Sequence, residues 1–199
     1  MEKLTLIRPN LSFSDEIRAY RQEFLDLGSP LNGCGPLADM EDPAQWVVHT
    51  QRFELGEDIP EDMVPSTQFI YVRESDQKIL GTIQIRHTFT PFLETYGGHI
   101  GYSIRPSERQ KGYATKMLHD CLPYCRSLGL DRVLVCCMDT NTASRKTILA
   151  NGGIYDGTVY EPEGQVNFER YWICMYIHTC LYNVQKSLRP LHHNNRCFH

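Results

Sequence analysis

The sequence predicts one α/β domain, on three observations. Residues 68–73 and 79–88 are β-rich runs joined by Glu74-Ser75-Asp76-Gln77, the chemistry of a hairpin loop, so an antiparallel pair is expected there. An extended run beginning at His99 is closed by Pro106, and from Lys111 onward the apolar residues switch to helical spacing. Residues 132–138 are a dense β-branched and apolar run, followed by a short helical segment that ends at Asn151-Gly152-Gly153. A chain of 199 residues can bury one sizeable core, and no stretch has linker composition. Residues 1–177 are therefore assigned to the domain and residues 178–199 to a C-terminal extension, expected to be disordered.

Taken in order, residues 4–8 read as a first strand stopped by Pro9, and residues 15–27 as a helix ended by Gly28 and Pro30. A second helix over 43–55 starts at Pro43 behind an Asp42 cap, with Trp46 and Phe53 among its buried side chains. Residues 56–65 form a loop before the hairpin. The helix after Lys111 carries Ala114, Met117, Leu118, Cys121, Leu122, Cys125 and Leu128 at spacings of three and four, a stripe that should face a sheet. Pro123 removes one backbone bond from that helix, so a kink is expected. A last strand runs from Val166 to about Ile177.

Composition narrows the function classes. A net charge of −4 argues against non-specific attraction to nucleic acid. No apolar run approaches the ~18 residues of a membrane span, and residues 1–10 lack the apolar core of a signal peptide. A cytoplasmic location is expected. Eight cysteines without a secretion signal suggest a reducing compartment and free thiols, and their spacing fits no zinc template. Cys121, Cys125, Cys136 and Cys137 read as small core residues. His192, His193, Cys197 and His199 crowd a polar terminal segment to which no metal is assigned.

The chemistry concentrates in Arg109-Gln110-Lys111-Gly112-Tyr113-Ala114, between a strand and a helix. Backbone N–H groups in the first helical turn lack intrahelical acceptors and can turn toward an anion, helped by the helix dipole. Gly112 lets the backbone approach phosphates, while Arg109 and Lys111 supply positive charge.

Three segments together resemble the GNAT superfamily of acyl-CoA-dependent N-acetyltransferases: His99-Ile-Gly-Tyr-Ser-Ile-Arg-Pro106, Arg109-Gln-Lys-Gly-Tyr-Ala114, and Asp139-Thr-Asn-Thr-Ala-Ser144 before the helix ending at Gly152-Gly153. The likeness covers residues 4–173. It implies a mixed, mostly antiparallel sheet, flanked by helices and splayed between its fourth and fifth strands, where the pantetheine of acetyl-CoA inserts. Backbone groups near Ser103, Ile104 and Arg105 would pair with it. Main-chain donors of Arg109, Gln110, Lys111, Gly112, Tyr113, Ala114 and Thr115 would hold the pyrophosphate. The resemblance further implies direct attack by an amine within a ternary complex, with an oxyanion donor near the Ile104 N–H.

His99 stands where many relatives carry a glutamate that relays the amine's proton. Two readings are open: a catalytic imidazole, with an ordinary pKa of about 6.5, or a structural histidine bonded at the strand's start. His87 and Glu94 are further candidates. Asn141 matches an asparagine that bonds the pantetheine arm in relatives, or serves as a helix cap. Many relatives place a tyrosine seven residues later to protonate the thiolate; this chain has Ile148 there, and Ser144 resembles a serine used by a subset.

The loop before the second strand holds Glu54, Glu57, Asp58, Glu61 and Asp62, either a solvated face or an acidic wall for a cationic acceptor. Tyr96, Tyr102 and Trp172 either line an acceptor cavity or fill the core. The expected activity is acetyl transfer from acetyl-CoA, without a metal, to a primary amine of a small molecule. The alternatives are a catalytically silent acyl-CoA-binding module or a protein N-acetyltransferase. Neither a Gly-x-Gly-x-x-Gly nor a Gly-Lys-Ser/Thr motif supports mononucleotide binding. A homodimer paired through sheet edges would be unsurprising.

Overall fold

A computed structural model of the chain describes residues 2–175. Its strands and α-helices follow the order β1 (Leu4–Ile7), α1 (Ser14–Asp26), α2 (Pro43–Leu55), β2 (Ser66–Arg73), β3 (Lys78–Arg86), β4 (Ile100–Ile104), α3 (Tyr113–Ser127), β5 (Arg132–Met138), α4 (Thr142–Ala150), β6 (Ile154–Glu161) and β7 (Val166–Cys174). They form two antiparallel sheets, ordered β1-β2-β3-β4 and β5-β7-β6. The expected splay lies between them. β4 and β5 meet at one isolated bridge, Gly98 with Val135, and at a pair of bonds from His99 to Leu134.

The period of two along β2 divides the core. Phe69 and Tyr71 face the cluster built with Met117, Leu118, Cys121 and Cys125 of α3. Ile70 and Val72 face the opposite way, against Ile17, Tyr20 and Phe24 of α1 and Trp46 and Val47 of α2. The Trp46 indole donates to the Cys34 carbonyl at 2.7 Å, so its one polar group is satisfied inside the core. Asp42 caps α2 by accepting the Ala44 N–H.

Several expectations need revision. α3 remains one helix through Pro123, which is exposed, as is His119, whose carbonyl the missing N–H would have served. β6 was not anticipated: it carries Tyr155, Val159 and Tyr160, but a register shift between Tyr155 and Gly157 breaks its alternation. β7 ends at Cys174, and the extension assigned to residues 178–199 lies outside the described residues, as do His192, His193, Cys197 and His199. Cys34, Cys121, Cys125, Cys136 and Cys137 are free thiols. Cys174 is disulfide-bonded, against the expectation of thiols throughout; it sits half-buried at a strand end, outside the packed interior.

Candidate active site

A cavity of about 470 Å³ opens where β4 and β5 diverge. The Arg105 N–H donates to the Leu80 carbonyl and the Arg86 N–H to the His99 carbonyl, so the odd-numbered residues of β4 are tied to β3. Antiparallel alternation then turns the main-chain groups of Tyr102 and Ile104 toward the gap. Ser103 lines the cavity from a buried hydroxyl cluster, 3.0 Å from the Tyr20 phenol and 3.2 Å from Thr82.

The floor is the start of α3. Gly112, at φ +82°, occupies the N-cap position without a side-chain acceptor, and Lys116 supplies the first N–H that returns to it, at 3.2 Å. The N–H groups of Tyr113, Ala114 and Thr115 therefore have no intrahelical acceptor and stand at a cavity wall that includes Gln110 and Gly112. Nothing lies within 4 Å of where a Gly112 Cβ would be. Arg109 is held at the wall, its Nε donating to the Ile104 carbonyl at 3.1 Å and its Nη2 to Ser29 at 2.7 Å.

Lys111 is placed elsewhere. Its ammonium pairs at 2.8 Å with Glu108, which also pairs with Lys78, and the lysine is not part of the cavity wall. Burial opposes ionisation of Glu108, but the two lysines outweigh it and pull its pKa down to about 2. The backbone of Arg105 is engaged outside the gap, its N–H by the Leu80 carbonyl and its carbonyl by the Glu108 N–H, and its buried side chain is clamped by Glu16 and Glu23 at 2.9 and 2.7 Å. Packing against α1 turns it away from the gap.

On the far wall, Asn141 caps α4 by accepting the Ser144 N–H at 3.0 Å, and both residues line the cavity. The Ser144 hydroxyl lies 2.8 Å from the Tyr102 phenol. Burial pushes that phenol up to about 12, partly countered by Ser144, so it stays protonated at neutral pH. Ile148 is buried in the core. Tyr102 was anticipated only as an acceptor-side aromatic; its position on a strand rather than a helix hid its pairing with Ser144.

His99 takes the structural role. Its ring is 5% exposed, packs 3.9 Å from Phe89, and accepts the Leu134 N–H at Nδ1, 2.9 Å away. A neutral ring accepting at Nδ1 carries its proton on Nε2, so no lone pair remains to take a proton from an amine. Burial, with Arg86 and Arg132 nearby, lowers its pKa to about 4. Of the two readings open for His99, this geometry supports the structural one, in which the histidine stitches β4 to β5.

A second cavity, of about 640 Å³, lies between α2, β3 and the turn around Leu93. Gly35, His49, Phe53, Asp62, Met63, Val64, Ser66, Gln84, Arg86, Thr90 and Phe92 are among its walls. One strap borders both cavities: Asn32 lines the first, Gly35 and Pro36 the second. Gly33 crosses β4 at φ +67°, so close that a Cβ would collide with the Gly101 carbonyl, and its own carbonyl accepts from Gln68 at 2.9 Å.

Of the acidic loop only Asp62 reaches this second cavity. Glu54 holds Arg8 and Asp58 holds Arg52. Tyr96 packs against Phe92 and Phe168, and Trp172 lies under Arg132, 4.1 Å from its ring centre. His87 shares a 2.9 Å bond with Thr67, and Glu94 and His87 line neither cavity. His49 was overlooked; its spacing of four from Phe53, against which it packs at 4.3 Å, was the available signal. Among the described residues, no group of three His, Cys, Asp or Glu side chains could hold a metal, and no helix is long and apolar enough to cross a membrane.

The model of the acetyltransferase (GNAT) domain matches residues 36–154. The fold is similar to that of the microcin C7 self-immunity acetyltransferase in complex with acetyl-CoA and AMP, at TM-score 0.62 and 18% identity over 88% of this chain and 94% of that one. The ribosomal-protein-S5-alanine acetyltransferase from Vibrio fischeri gives 0.62 and 17%, covering 86% and 91%. A spermidine N-acetyltransferase chimera from Vibrio cholerae and hSSAT gives 0.59 and 13%, covering 90% and 98%. No curated protein matches the sequence.

Proposed function

The chain belongs to the GNAT acetyltransferases, which use acetyl-CoA as co-substrate, and from that premise we propose that it acetylates the primary amine of a small molecule by direct attack in a ternary complex. The observation that carries the reading is the uncapped α3 N-terminus opening into the gap between β4 and β5. The fit to the donor is good. Three unpaired N–H groups and Arg109 suit a pyrophosphate, and the main-chain groups of Tyr102 and Ile104 suit the extended pantetheine arm. Bound there, the donor supplies an activated acyl group on a thiolate leaving group.

The residues then divide the work. The Ile104 N–H is aimed to meet the developing oxyanion. The protonated Tyr102–Ser144 pair stands ready to donate to the departing sulfur. The acceptor enters the second cavity, whose 640 Å³ suits a small molecule. The test is coenzyme A release from acetyl-CoA with a panel of small amines and peptides bearing free N-termini. Release with small amines supports the reading; release with peptides alone would make it a protein N-acetyltransferase. Donor binding without turnover of any amine would make the protein a silent acyl-CoA-binding module.

His49 replaces His99 as the proton acceptor in this reading. It lines the acceptor cavity, and burial followed by Arg52 lowers its pKa from the ordinary 6.5, which keeps it neutral at pH 7. A base works when deprotonated, so kcat/KM should rise through an acid limb below pH 6.5 and be level by pH 7. His49→Ala should cost about a hundredfold in kcat/KM and abolish that limb. An unaltered limb in a pH–rate series of this variant would remove His49 from the mechanism.

A further inference from the structure

Arg86 ends β3 at the wall of the second cavity. Its Nη1 donates to the carbonyls of Gly97 and Gly98, both at 3.1 Å, which fixes the guanidinium in place. Nη2 lies against β4, 3.3 Å from where a Gly101 Cβ would sit. Arg8, Arg73, Arg105, Arg145 and Arg170 each hold a carboxylate. Arg86 has no carboxylate within ion-pairing distance among the described residues, and its Nε and Nη2 have no acceptor there. Burial pushes its pKa down, countered in part by the Cys136 thiol, while the residue keeps some surface exposed. A cation held in place with two donors free is open to an anion. The only carboxylate among the cavity's lining residues, Asp62, is exposed.

Resting on the acetyltransferase reading, we infer that the acceptor carries an anionic oxygen group beside its amine, and that Arg86 binds that group within the second cavity. The free edge of the guanidinium, Nε and Nη2, presents two parallel donors of the kind that carboxylates and phosphates take bidentately. The fixed Nη1 sets its orientation. Binding the anion at Arg86 anchors the acceptor close to β4 and so presents the amine toward the thioester gap, with specificity set by charge as well as by size.

The experiment compares kcat/KM for three classes of acceptor of similar size: amino carboxylates, amino phosphates and neutral primary amines. The wild-type protein should prefer one or both anionic classes by about thirtyfold over neutral amines, with the difference in KM. The carboxylate and phosphate arms separate the two sources of anion. In Arg86→Gln that preference should fall to about one. Because this change can loosen the Gly97–Gly98 turn, Val64→Glu is a second probe: a tethered carboxylate in the same cavity should compete for Arg86 and also erase the preference. Equal use of neutral and anionic amines by the wild type, or a preference that survives both variants, would overturn the inference while leaving the acetyltransferase reading intact. If no amine turns over, the function reading fails, and calorimetry of the same amino carboxylates and amino phosphates on donor-loaded protein decides the inference: Arg86-dependent binding upholds it, and its absence overturns it.

Discussion

Gly112→Glu is expected to weaken acetyl-CoA binding by a hundredfold or more, about 2.7 kcal/mol. The new carboxylate would stand where Tyr113, Ala114 and Thr115 present their N–H groups, occupying those donors and repelling the pyrophosphate. Space is not the obstacle, since a Cβ at this glycine meets nothing within 4 Å. The left-handed φ of +82° is a smaller cost, about 1 kcal/mol, which Gly112→Ala measures by itself. Calorimetric titration of both variants separates charge from conformation. A Glu variant that binds the donor as tightly as the Ala variant would dismiss the phosphate-loop assignment.

His99→Ala is expected to cost about 3 kcal/mol of folding stability, because it orphans the Leu134 N–H in the core and leaves a void beside Phe89. The wild-type protein should also lose stability on acidification. In the unfolded chain the imidazole takes a proton near 6.5, whereas the folded one resists until about 4. The loss therefore begins as the pH falls below 6.5, is complete near 4, and amounts to roughly 3 kcal/mol. Denaturant melts across that window should slope for wild type and flatten for His99→Ala. An unchanged slope would mean that the ring does not titrate as its burial demands. The acid limb of kcat/KM should persist in this variant, which separates a stitch from a base.

What could be read from the chain and what could not differ by the range of the interaction. The 66–86 hairpin and the stripe on α3 are local patterns, and both were legible. The turn at Gly112 was legible because its backbone conformation is written in the residues that form it. The role of His99 was not, since its partner is a backbone N–H 35 residues away across the gap. That the Arg105 backbone is already engaged, by Leu80 and Glu108, was not legible because the first of these partners is on the neighbouring strand. The pairing of the Lys111 ammonium with Glu108 was not legible either, because it takes the charge away from the turn beside which Lys111 stands in sequence. Arg86 and His49 carried no motif; the packing of α2 on β2, whose hairpin partner is β3, brings them to one cavity. β6 escaped notice because Gly157 and the bulge interrupt the pattern that would have revealed it.

The strap that presses Gly33 onto Gly101 borders both cavities, with Asn32 on the wall of one and Gly35 and Pro36 on the wall of the other. On the proposed reading, each reactant then has its own doorway, and neither must leave for the other to arrive. Such a floor plan needs no acetylated side chain to ferry the group, because nucleophile and thioester, entering from different sides, can meet directly at the crossing.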